Sequence, residues 1–175
     1  MQQQKTESPG VRDVFATILE SVTRGIVGAV KDAGPSGDAL RQAVTGVVKN
    51  AVKEVVGLGN DLVPGMKGII LGVVRGRGEQ GEAALQILAH VAKTIILSTA
   101  DMGGDLAAAT KGVVLGAIAG AKSMGVDSAK AATTAAQGSL EGAREAGSVT
   151  VERVLVALKE PIGGAKVALP EAAAK

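Results

Sequence analysis

The sequence predicts an all-α protein built from tandem amphipathic helices of about 22 residues, which pair into about three 44-residue helical hairpin repeats. Three observations carry that prediction. Apolar residues recur with a period of 11, glycines punctuate the chain every 22 residues, and similar segments return at matching places in successive 44-residue units.

The 11-residue period runs from Ser36, where the chain divides into blocks beginning SGDALRQAVTG, VVKNAVKEVVG and LGNDLVPGMKG. The first block position is apolar in 10 of 12 blocks and the sixth in 11 of 12, against 46% hydrophobic residues overall. Eleven residues over three turns give about 98° per residue, which is a helical pitch. At that pitch the mostly apolar or small positions adjoin on one side, and most of the charged residues fall opposite. A strand alternates with period 2 and would mix the two sets.

Taken in order, residues 1–12 open with the polar MQQQKTESPG and read as a flexible N-terminal tail, neither secretory signal nor transit peptide. The helical repeat region spans residues 13–160, beginning with FATILESVTRG (15–25). Helix boundaries are predicted near residues 34–38, 57–61, 77–81, 101–105, 123–127 and 145–148, at the periodic Gly37, Gly59, Gly81, Gly103, Gly125 and Gly147. An acidic or small polar residue follows most of these glycines: Asp38, Asn60 with Asp61, Glu82, Asp105, Asp127 and Ser148. Glycine ends one helix, and the oxygen that follows accepts the free N–H groups of the next first turn. TRGIVGAVKDAG, MKGIILGVVRGRG and TKGVVLGAIAGAKSMG stand at corresponding places in three successive units. Residues 161–175, with Pro161 and Pro170 before EAAAK, read as a C-terminal tail.

That frame disposes of one motif. GRGEQG (76–81) is a literal G-x-G-x-x-G after a β-branched run. A dinucleotide fingerprint requires a strand before it and β-α-β alternation around it. Here the motif falls on a 22-residue break, its apparent strand GIILGVVRG matches the helical GVVLGAIAG, and Asp101 is the acid of the next break. The motif is a turn.

Composition narrows the functional classes. There is one Phe and no Trp or Tyr, so the apolar content is almost all small aliphatic. A net charge of +2, with acids and bases interspersed, gives neither the basic stripe nor the stacking aromatics of a nucleic-acid binder, and no nucleic-acid partner is expected. Zero cysteines leave no disulfide or thiolate site. No run of about 18 uncharged apolar residues predicts a membrane-spanning helix. His90 is the one histidine; Gln86 and Thr94 stand four residues either side, and Ile87 replaces the glutamate of a Glu-x-x-His metal pair, so it reads as a solvated polar-face residue. Hydroxyls are plentiful but lack a base, and carboxylates are accounted for by caps and helix pairs such as Glu141 with Arg144. No catalytic residue, cofactor or metal site is expected.

The informative candidates are ladders of small residues spaced by four: Gly68, Gly72, Gly76; Gly112, Gly116, Gly120; and Gly138, Gly142, Ala146. Each forms one helical stripe where another backbone can approach closely, in a tight bundle, a lateral oligomer or a membrane. Lys67, Lys111, Lys122, Arg144 and Lys166 all occupy block position 10, at the edge of the apolar face. Their stems can lie along that face with the charge in water, as in interfacial helices or beside a protein–protein contact.

The lysine–glycine–valine segments MKGIILGVV (66–74) and ATKGVVLGAIAGAKS (109–123) make residues 15–167 resemble the 11-residue-repeat amphipathic-helix proteins: synucleins, exchangeable apolipoproteins, perilipin-like coats and, more loosely, phasins. The resemblance implies reversible binding to a membrane or lipid particle and transfers no catalytic residues. Regular glycine–acid breaks depart from it by favouring hairpins over one long helix. Two readings therefore stand: a self-associating, homo-oligomeric protein that coats a lipid surface, cytoplasmic and peripheral to a membrane or lipid inclusion, or a scaffold or filament whose hairpins pack on each other.

Overall fold

A computed structural model describes residues 11–34, 37–59, 61–164 and 167–169. Among the described residues, seven helices follow one another: α1 (Val11–Ala33), α2 (Gly37–Gly57), α3 (Leu62–Arg77), α4 (Gly81–Asp101), α5 (Leu106–Met124), α6 (Ser128–Ala146) and α7 (Ser148–Lys159). They form two rows. α1, α3, α5 and α7 stack side by side in one, α2, α4 and α6 in the other, and consecutive helices cross between rows as hairpins. Three complete hairpins result, and α7 opens a fourth unit.

All six predicted boundaries are helix breaks. Asp61 accepts from the Val63 N–H at 3.0 Å, Asp105 from Ala108 at 3.1 Å, and Asp127 from Ala129 at 2.7 Å and Lys130 at 3.4 Å. Asp38 and Glu82 lie in first turns, where the helix dipole favours their charge. Gly125 shows why the residue before must be glycine: its φ of 67° is left-handed, and its N–H closes the last turn of α5 onto Ala121 and Lys122 carbonyls. Gly37 departs from the expected pattern. It is the first residue of α2, and among the described residues of that break the left-handed one is Gly34; Gly81 likewise is the first residue of α4, after the left-handed C-cap Gly78. Asn60 lies outside the described residues. Asp127→Ala should remove the α6 cap and cost about 1 kcal/mol, read as a lower midpoint in urea unfolding with an unchanged slope.

The core is a sheet of aliphatic side chains between the two rows. Residues at the first block position (Ile69, Val91, Val113, Met124) and the sixth (Val52, Leu85, Ile96, Leu140) are buried within it. Leu58 and Met102 share the first position but fall at breaks and are exposed. Among the described helices, α4 alone is long and apolar enough to cross a membrane, and 56% of that window is buried by its neighbours.

Both ends differ from expectation. α1 begins at Val11, two residues ahead of the expected repeat region, while residues 1–10 lie outside the described residues. The C-terminal segment is docked: Ile162 is buried, Val167 and Leu169 pack on the core, and Gly163 lies against Leu115 and Ile118 of α5. A short α7 leaves those α5 side chains for the segment to cover.

Candidate functional site

The glycine ladders lie where helices of the same row meet. In α3, a Cβ on Gly68, Gly72 or Gly76 would sit 3.1 Å from the carbonyl oxygens of Phe15, Leu19 and Thr23, respectively, on α1. Ile18, Val22 and Ile26 fit against the same three glycines, one turn apart each time, so the helices run parallel in register. The arrangement recurs one unit later. A Cβ on Gly112 or Gly116 of α5 would meet the Val63 or Lys67 carbonyl of α3 at 2.6 or 3.1 Å, while the nearest atoms to one on Gly120 are in the Leu71 and Val74 side chains. In the other row, Gly138 and Gly142 of α6 lie on the Ala89 and Lys93 carbonyls of α4.

Ala146 does not belong to this contact. It is the last residue of α6 and is exposed. A packing glycine missing from the ladders is Gly65, whose Cβ would overlap Val55 where α3 crosses α2. It stands three residues before Gly68, off the four-residue row. The rule fails informatively at α7. One unit beyond Gly112 stands Val156, and α7 leaves an open crevice of about 310 Å³ against Asp105, Leu106 and Ala107 of α5.

α4 breaks the pattern in a different way. One unit before Lys130, Thr134, Gly138 and Gly142 of α6, the row facing α2 reads Gln86, His90, Thr94 and Ser98. The small Ser98 and Thr94 give way to the larger His90 and Gln86 toward the N-terminus of α4. Thr94 and Ser98 are buried at the close end, and a groove of about 190 Å³ opens where Gln86 and His90 stand. Leu40, Val44 and Ile87 supply its apolar lining, and Arg41, Arg77, Glu79, Gln86 and His90 its polar lining. It opens outward past Asp38, Gln42 and Thr45.

The polar groups of the groove are ordered. The Thr45 hydroxyl donates to the Arg41 carbonyl at 2.8 Å, so its oxygen is left to accept from His90 Nε2, also at 2.8 Å. That fixes the neutral tautomer with Nδ1 unprotonated. Burial, then the charges of Arg41 and Lys93, hold the His90 imidazole below its ordinary value of 6.5. Arg77 pairs with Glu79, while its Nε is buried without a partner. Arg41 is exposed and makes no ion pair among the described residues.

The position-10 cations differ in their surroundings. Lys67 lies with its ammonium 5.5 Å from the centroid of the Phe15 ring on α1. Lys111 pairs with Glu160 at 3.4 Å. Lys122 and Arg144 are exposed, and Lys166 lies outside the described residues. Buried hydroxyls of Thr99, Thr110 and Ser139 each donate to the carbonyl four residues back at 2.7–2.8 Å, which commits their protons to the backbone. No three His, Asp or Glu side chains among the described residues cluster to hold a metal. Compared with known proteins, the chain matches no family model, no curated protein and no solved structure.

Proposed function

We propose that this chain is a non-enzymatic scaffold, a two-row stack of helical hairpins that presents a polar outer surface to its partners. One observation carries the reading: the apolar block positions and the glycine ladders are occupied inside the chain, by its own neighbouring hairpins. A face already buried gives no free energy on meeting lipid unless it is first uncovered. Self-association would then use other surfaces. Among the described residues, the most exposed large apolar side chains are Val149 and Val156 of α7, each 61% exposed.

The lipid-coat reading is the alternative, supported by the 11-residue pattern and the resemblance it carries. It requires the two rows to part, so that position-1 and position-6 residues face a membrane. Circular dichroism separates the two. The scaffold reading expects full helicity and a cooperative melt in buffer, with no spectral change and no flotation on adding anionic or zwitterionic vesicles. Helix that forms only with vesicles, or flotation with loss of the cooperative melt, would replace it with the coat.

A further inference from the structure

We propose that the groove between the N-terminal halves of α2 and α4 binds a small amphiphilic monocarboxylate. Arg41 and His90 take its carboxylate, and Leu40, Val44 and Ile87 take its hydrocarbon chain. The site goes beyond the scaffold reading and does not depend on it.

The groove opens at the N-terminal end of the α4 row, where Gln86 and His90 stand, beyond the buried Thr94 and Ser98 that take the places of the α6 glycines. Its volume of about 190 Å³ falls below the ~300–1,000 Å³ typical of drug-sized ligands, which sets the ligand at a few heavy atoms. The apolar lining requires part of that ligand to be hydrocarbon.

Charge sets the remainder. From α2 the groove is faced by Arg41 and, at its outer mouth, Asp38; from the end of α3 and the following turn, by Arg77 with Glu79. α4 contributes His90. Its other nearby charges are turned to α6, Glu82 toward Lys130 at 3.9 Å and Lys93 to Glu145. Arg77 is neutralised by Glu79, so among the described residues Arg41 is the cation facing the groove that no ion pair compensates. One guanidinium and one imidazole that can take a proton at Nδ1 match a monoanion better than a dianion, and the guanidinium fork fits a carboxylate.

A bound carboxylate must favour the protonated imidazole. His90 is the sole histidine, so its ring signals in the NMR spectrum of the full chain report this directly. Without ligand, His90 should titrate below 6.5. Hexanoate at constant ionic strength should raise the midpoint saturably by about 0.5, a roughly threefold preference for the protonated protein. It should also shift the methyl signals of Leu40, Val44 and Ile87. Inorganic phosphate should do neither to a comparable degree. Arg41→Gln, a change at an exposed side chain, should abolish most of the hexanoate effect while leaving the melting temperature unchanged. A His90 midpoint unmoved by hexanoate in the folded protein overturns the proposal. So does an equal response to phosphate, or methyl shifts clustered elsewhere.

Discussion

Gly138→Ala is expected to destabilise the protein by about 1–3 kcal/mol through overpacking, whereas the same change at Gly46 should stabilise it by about 0.5–1 kcal/mol. Both glycines are helical, in α6 and α2, and neither has a positive φ. They differ in what the added methyl meets. At Gly138 it runs into the Ala89 carbonyl of α4, which is backbone and cannot swing aside; at Gly46 nothing lies within 4 Å. Helix propensity favours alanine at both sites, so a net loss at Gly138 is a lower bound on the cost at the stacking contact. Gly116→Leu asks the same question in the other row, against the Lys67 carbonyl and Ile70. Urea unfolding of the variants checks the signs. Equal stabilisation by alanine at Gly138 and Gly46 would show that the two rows do not stack on their glycines.

Val113→Asp should be more damaging still, at least about 3–5 kcal/mol, because it leaves a buried charge with no partner. Val113 is fully buried in α5 between the rows. A loss of that size is comparable with the whole stability of many domains, about 5–15 kcal/mol, so the expected result is a chain without a cooperative melt. Val149→Asp is the control. Its site is 61% exposed in the first turn of α7, where a negative charge favours the helix dipole, and the melt should stay within about 0.5 kcal/mol of the parent. An intact melt for Val113→Asp in buffer would mean that the apolar face is not buried in the free protein, and would favour the lipid coat.

Much of this fold is legible in the primary structure because its determinants are local. The period of 11 fixes helix and face, and Asp61, Asp105 and Asp127 begin helices at positions visible from their neighbours. The ladders announce close approach but not to what. Gly72 meets Val22, fifty residues earlier, and only the stacking of whole hairpins determines that pairing. Lys67 illustrates the same limit: its spacing predicts a charged edge, and its partner proves to be the Phe15 ring on another helix. His90 looked solvated because its own helix offers Gln86 and Thr94, whereas its hydrogen-bond partner is Thr45 of α2. Aligning α4 with α6 shows Thr94 and Ser98 in the places of Gly138 and Gly142, but not the groove that opens beyond them at His90 and Gln86.

The repetition of one contact along each row has a consequence for how such a protein can change its size. α3 offers glycines to α1 and branched side chains to α5, so it is socket on one side and plug on the other. Any hairpin with both surfaces can be inserted or deleted without redesigning its neighbours, since each touches only the units beside it. Length is then an inherited number, free to drift by duplication in steps of one hairpin. The plug-and-socket register is spoiled at α7, where Val156 stands in the glycine position and stays exposed beside an open crevice, and the segment from Ile162 closes over α5.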